Sequence, residues 1–159
     1  MKTKVSKVLI AMDYNPTAQK VAETGYSLAK SMNAEITLLH VISDPVYYYS
    51  VEYSPLMGFN GFIDPGLVRR KDVHNLKEAA LDYLDKTRKH LGDEAISTMV
   101  AEGDFAESIL KTAKSTHADL IVLGSHSRKW LENILTGSVT EYMIRHSQIP
   151  LFIVPTKKI

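Results

Sequence analysis

Short apolar runs alternate along the chain with longer stretches that are apolar on one side only. The runs are rich in strand-forming residues, and their length is typical of buried β-strands. They lie at residues 7–12, 35–41, 95–103, 119–124 and 149–155. The run at 95–103 is more mixed, which suits the edge of a sheet, whereas the run at 119–124 is apolar enough for burial on both faces.

The stretches between these runs repeat apolar residues every three or four positions, which predicts helices. The predicted helices lie at residues 18–32, 67–91, 104–115 and 138–146. Asn15 can cap the first helix, and Gly92 is a suitable stop for the second. Asp104 can cap the third, with Glu107 at the offset of a capping box.

Strands that alternate with helices predict one α/β domain over residues 1–159, a doubly wound parallel sheet with helices on both faces. If the first strand is central, the five-stranded order is 3-2-1-4-5. Ligands of such sheets bind beyond the carboxyl ends of the strands, where the winding direction reverses. We therefore expect Asp13, after the first strand, and residues 124–127, after the fourth, to face one crevice.

Composition narrows the possible functions. Net charge is only +1, so we expect no nucleic-acid partner and no attraction to an anionic membrane. The chain has no cysteine, which excludes disulfides, thiolate catalysis and Cys-ligated zinc and suits a reducing compartment. The apolar run near the N-terminus is too short for a signal peptide, and no run approaches the length of a membrane span. We expect a soluble cytoplasmic protein.

The stretch "GSHSRKWLENILTGSVTE", residues 124–141, allows two interpretations. Gly137 and Ser138 open the last helix, where free backbone N–H groups and the helix dipole suit an anion. Ser138 and Glu141 also form a capping box, which any helix can have. Asp13 is likewise either a turn residue or an acceptor for a ligand. Residue types alone leave both interpretations open.

The spacing of this stretch resembles a known signature. Gly124, two residues, Ser127, nine residues and Gly137-Ser138 are similar to the G-x2-G-x9-G-[S/T] pattern of the universal stress protein family. "KVLIAMDYNPTA", "AEITLLHV", "EGDFAESILKTAKSTHADLIVLGSHS" and "GSVTEYMIRHSQIPLFIVP" resemble other segments of that family in the same order. The resemblance implies an adenine nucleotide alpha hydrolase-like fold and a homodimer that pairs through the C-terminal strand at residues 149–154.

The resemblance also implies binding of ATP or another adenine nucleotide, AMP or ADP, with Mg²⁺ as a companion of a triphosphate. The implied contacts are Ala11, Asp13, Val41, Leu123, Gly124, Ser127, Arg128, Gly137, Ser138, Val139 and Thr140. Ser127 departs from the pattern, which has glycine there. If that position requires positive φ, serine costs about 1–2 kcal/mol, so we expect Ser127→Gly to bind equally well or better.

No nucleophile–base pair, paired carboxylates or metal-ligand spacing stands out in the sequence. The leading interpretation is a homodimeric sensor or regulator of a stress response. The alternatives are a weak ATPase or phosphotransferase, and a dimeric interaction module that binds no nucleotide. The aromatic-rich segment 42–66 is too long for an ordinary connection, so we expect a flap over the sheet edge or a partner contact.

Overall fold

A five-stranded parallel sheet forms the centre of the protein in a computed structural model that describes residues 4–14, 16–43, 73–125 and 139–156. The strands are β1 (Lys7–Met12), β2 (Glu35–Ile42), β3 (Ser97–Glu102), β4 (Leu120–Gly124) and β5 (Leu151–Val154). Their order is β3-β2-β1-β4-β5, all parallel. The predicted fold class and strand order are confirmed, with β1 in the centre and β3 at one edge.

Helices connect the strands: α1 (Ala18–Ser31), α2 (Val73–Leu91), α3 (Phe105–Ser115) and α4 (Val139–His146). Asp104 caps α3 as predicted, because its carboxylate accepts the N–H of Glu107 at 3.0 Å. Gly92 follows α2 with φ near 70°, the left-handed conformation that favours glycine at a helix end. The first helix begins differently from the prediction, since Thr17 is its N-cap residue; the predicted cap, Asn15, lies outside the described residues.

Alternate residues of the strands face two separate apolar layers. Val8 and Ile10 of β1 pack with α1 and α2 on one face of the sheet. Leu9 packs with α3 and α4 on the other face. This period of two explains why the central runs are apolar throughout, because helices cover both of their faces.

Hydrogen bonds at the amino-terminal ends of β1 and β4 align these two neighbouring strands. One carboxylate oxygen of Asp119, just before β4, accepts the backbone N–H of Ser6 at 2.9 Å, its hydroxyl at 2.7 Å and the N–H of Lys7 at 3.0 Å. β1 and β4 are thereby fixed in a register that pairs Ile10 with Val122. Their carboxyl ends consequently reach the same edge of the sheet.

Three predicted features fall wholly or largely outside the described residues. They are the segment 42–66, of which only Ile42 and Ser43 are described, the start of α2 at 67–72, and residues 126–138 of the signature stretch. Within the described part, no helix is long and apolar enough to cross a membrane.

Candidate functional site

A cleft opens at the carboxyl ends of β1, β2 and β4, with about 530 Å³ of empty space including the part open to solvent. Six of the residues predicted to contact a ligand line it together: Ala11, Asp13, Val41, Leu123, Gly124 and Val139. The strand order explains this grouping, since parallel strands end at one edge of the sheet. Four other predicted contacts, Ser127, Arg128, Gly137 and Ser138, lie outside the described residues.

Most of the cleft wall is apolar. Leu39, Val41 and Leu123 come from the strands, while Phe105 and Ile109 come from the first two turns of α3. Among the described residues that line the cleft, polar side chains are few: those of Asp13, Thr17 and Thr156. An apolar pocket with a few convergent polar groups is typical of a small-molecule site.

Asp13 follows β1 and is 9% exposed, at the edge of the cleft. Its backbone carbonyl accepts a hydrogen bond of 2.7 Å from the buried hydroxyl of Tyr83 on α2. Burial raises the pKa of Tyr83 well above its usual value, and the nearby negative charge of Asp13 raises it further. The phenol therefore keeps its proton at neutral pH and remains a donor.

Three rings pack behind Asp13. Tyr14 lies 4.1 Å from the ring of His40 and 5.0 Å from that of Tyr83, measured between centroids. His40 is 1% exposed, and its Nδ1 lies 2.9 Å from the carbonyl oxygen of Met12. Because a carbonyl can only accept, Nδ1 carries a proton. The end of β1 is thus held by buried donors from β2 and α2.

Gly124 lies in the floor of the cleft, where its neighbours leave little space for a side chain. It is not among the described glycines with positive φ. A Cβ built on it would lie 3.0 Å from Cγ2 of Thr156 and 3.1 Å from Cγ2 of Val21, closer than side chains normally approach. Both of these residues also line the cleft. Space, and not a positive φ, is therefore what requires glycine here.

Thr140, one of the ligand contacts that the resemblance implies, is oriented toward β4. Its buried hydroxyl donates to the carbonyl of Gly124 at 3.1 Å. Thr140 is also absent from the lining of the cleft. In this arrangement the threonine fixes the start of α4 against the end of β4, and its one proton is already used.

Thr156 lines the cleft but was missed in the sequence. It follows β5, and its N–H donates to the hydroxyl of Ser125 at 3.0 Å, while the N–H of Ser125 donates to Val154 at 2.9 Å. The available signal was topological, because β5 adjoins β4 and both end at this edge. Other lining residues were missed as well: Met12, Thr17, Ala18, Val21, Leu39, Phe105 and Ile109.

The described residues contain no cluster of three or more histidine or acidic side chains that could hold a metal ion.

Glu141 is the second member of the predicted capping box. Its Oε1 lies 2.9 Å from Nη2 of Arg145, one turn further along α4. Since Ser138 lies outside the described part, the capping box stays a prediction.

Comparison with known proteins identifies relatives over almost the whole chain. The model of the universal stress protein family matches residues 4–155. Universal stress protein MJ0577 of Methanocaldococcus jannaschii is 30% identical over 161 aligned residues, which cover 99% of each chain. Its solved structure aligns at 27% identity with a TM-score of 0.71, covering 98% of this chain and 99% of that one.

Two more distant solved structures share the fold and contain nucleotides. A universal stress protein in complex with cAMP aligns at 17% identity with a TM-score of 0.63, covering 96% and 98% of the two chains. The universal stress protein from Archaeoglobus fulgidus in complex with dAMP aligns at 18% identity with a TM-score of 0.58, covering 93% and 96%.

Proposed function

Because the chain belongs to the universal stress protein family, we propose that its cleft binds an adenine nucleotide and that the protein acts as a homodimeric regulator of a stress response. The observation that carries this proposal is the apolar cleft with Asp13 at its edge and Gly124 in its floor. The cAMP and dAMP complexes of structural neighbours support the choice of adenine.

The apolar side of the cleft is suited to the base and ribose. Ala11, Val41 and Leu123 offer a surface that a purine ring can cover, and the backbone of Val41 can hydrogen bond to the ring edge. The carboxylate of Asp13 can accept a hydrogen bond from a ribose hydroxyl or a ring amine. Burial of the carboxylate strengthens such a bond, because charge-assisted hydrogen bonds gain in surroundings of low dielectric constant.

The phosphate side lies toward the start of α4, where Val139 lines the cleft. Backbone N–H groups at a helix start attract anions. We propose that Ser127, Arg128, Gly137 and Ser138 complete this side, and that Thr140 supports it by holding Gly124. ATP, ADP and AMP all fit this scheme, with Mg²⁺ accompanying a triphosphate.

Direct identification of a ligand tests the proposal. Purified protein is denatured, and any released nucleotide is identified by mass spectrometry. Thermal shifts and calorimetry with ATP, ADP and AMP follow, with CTP as the control for the base. A ligand at 100 times its Kd adds about 2.7 kcal/mol to the free energy of unfolding. We expect an adenine nucleotide to bind and Asp13→Asn to weaken it; no nucleotide and no shift at millimolar ATP would refute the proposal.

A second copy of the chain is the partner we propose for β5. This strand ends the sheet order, and Phe152 is 36% exposed on it. An exposed edge strand offers unpaired N–H and C=O groups to another chain, so residues 149–154 can pair across a two-fold axis. Light scattering after gel filtration tests this: we expect a dimer for the natural chain and a monomer for Phe152→Lys. A dimer of unchanged affinity in the variant argues against this interface.

We also propose a cytoplasmic location, which suits a chain without cysteine.

A further inference from the structure

We propose that Tyr83 and His40 are positioning residues for the ligand: they do not line the cleft, but they hold the turn that presents Asp13 to it. This inference rests on the proposed function, because it assigns Asp13 a ligand. It concerns a different set of atoms, however, namely the backbone of the turn between β1 and α1 and the two side chains that bond to it.

Two consecutive carbonyls carry the argument. Met12 closes β1, and its carbonyl oxygen lies 2.9 Å from Nδ1 of His40 on β2. The next carbonyl, that of Asp13, accepts the hydroxyl of Tyr83 on α2 at 2.7 Å. Both donors are buried. The chain direction at the end of a strand is fixed here by tertiary donors, which reach the turn from two different elements.

Ring packing reinforces these hydrogen bonds. Tyr14, the residue after Asp13, contacts the rings of both His40 and Tyr83, with centroids 4.1 Å and 5.0 Å away. Packed aromatic rings stabilise one another beyond the burial of their surface. Asp13 is therefore followed by a residue whose ring contacts the rings of both donors, and these contacts hold the backbone of Asp13 at the cleft.

The consequence concerns affinity. A carboxylate held in place before the ligand arrives loses little conformational freedom on binding, which favours tight binding. If the hydroxyl of Tyr83 is deleted, the carbonyl of Asp13 loses this buried donor. We then expect the turn to shift toward another hydrogen-bond donor. Ligand affinity then falls although no ligand contact has been removed.

Tyr83→Phe is the direct test, because it keeps the ring and removes only the hydroxyl. Tyr26→Phe is the matched control: Tyr26 is a second tyrosine, on α1, whose hydroxyl helps to lower the pKa of Asp93 at the opposite, amino-terminal end of the sheet. Both variants lose one hydroxyl group. AMP affinity is measured by calorimetry well below the unfolding midpoint, and hydrogen exchange is followed in peptides that cover the turn between β1 and α1.

We expect Tyr83→Phe to weaken AMP binding about three- to tenfold, the range that one hydrogen bond supplies. The turn should exchange faster in this variant without ligand. Tyr26→Phe should keep the natural affinity and the natural exchange of the turn, even if it loses as much stability. Unchanged AMP affinity in Tyr83→Phe, or an equal loss in Tyr26→Phe, overturns the inference.

The exchange measurement separates this inference from the proposed function. If the natural protein does not bind AMP or any adenine nucleotide, the proposed function fails and the ligand role of Tyr83 fails with it. Hydrogen exchange still tests whether the hydroxyl of Tyr83 stabilises the turn between β1 and α1. Faster exchange in Tyr83→Phe alone keeps this role, whereas equal rates in the two variants overturn it.

Discussion

Replacing Gly124 by alanine tests the reason for glycine in the floor of the cleft. Because Gly124 has no positive φ, alanine meets no backbone strain there. The new Cβ meets Cγ2 of Thr156 at 3.0 Å and Cγ2 of Val21 at 3.1 Å instead. The cost of the substitution is therefore one of packing, and it should depend on the two side chains that it touches.

The expected magnitude follows from opposing contributions. Inserting a methyl group into a packed region costs about 1–3 kcal/mol. Replacing glycine by alanine adds about 0.4–1 kcal/mol to the free energy of unfolding, because it lowers the conformational entropy of the unfolded chain. Burying one methyl group adds about 0.8 kcal/mol. The midpoints of these ranges leave a net loss of about 0.5 kcal/mol, which corresponds to a fall in Tm of about 1–2 °C for a chain of this size.

A double-mutant cycle with Thr156→Ser isolates the contact. Serine deletes the methyl group that Gly124→Ala meets and keeps the hydroxyl that lies near Ser125. Urea unfolding of the single and double variants gives the coupling free energy. We expect the double variant to be at least about 0.5 kcal/mol more stable than the sum of the single changes. Relief should be partial, since the contact with Val21 remains.

Gly92→Ala is the control for this cycle. It makes the same chemical change at a position with φ near 70° and nothing within 4 Å of the new Cβ. We expect a strain cost of about 1–2 kcal/mol and no coupling to Thr156→Ser. If Gly124→Ala and Thr156→Ser prove additive within about 0.3 kcal/mol, the packing argument is wrong, and Gly124 is required for another reason.

Three further predictions concern stability, and urea unfolding measures each. Asp119→Ala should cost about 2 kcal/mol, because one carboxylate oxygen accepts three hydrogen bonds, and Asp119→Asn should cost less; equal losses would contradict this. Asp104→Ala should cost about 1 kcal/mol through the lost cap of α3, and a neutral result would count against the cap. The pKa of Glu23 is held below its usual value by the hydrogen bond from Gln19 and then by that from His90. A depressed carboxylate pKa contributes stability above the unfolded pKa that is lost as pH falls through the folded one, so Glu23→Gln should slightly flatten the acid side of the pH profile; a flatter alkaline side instead would refute the assignment.

The sheet could be predicted from the sequence because its signals are local. A run such as that of β4 is apolar at every position, which only a strand covered on both faces explains, and β3 is mixed because it lies at an edge. The start of α1 could not be fixed in the same way. Asn15 and Thr17 are both acceptable N-cap residues, and propensity does not choose between them. Tertiary bonds from Tyr83 and His40 fix the preceding turn, and those residues are distant in sequence.

In the candidate site, too, some residues can be located from the strand order, whereas others depend on how the elements pack. Asp13 and Gly124 were placed at one edge by strand order alone, because the carboxyl ends of parallel strands reach the same edge, whereas Ala11, Val41 and Leu123 were implied by the family resemblance. Thr156 follows from that rule too, once β5 is placed beside β4. Tyr83 does not: which residue of a helix faces a given turn depends on the rotation of that helix against the sheet. Residues that line the cleft can thus be located from topology, whereas residues that bond to the turns around it require the packed structure.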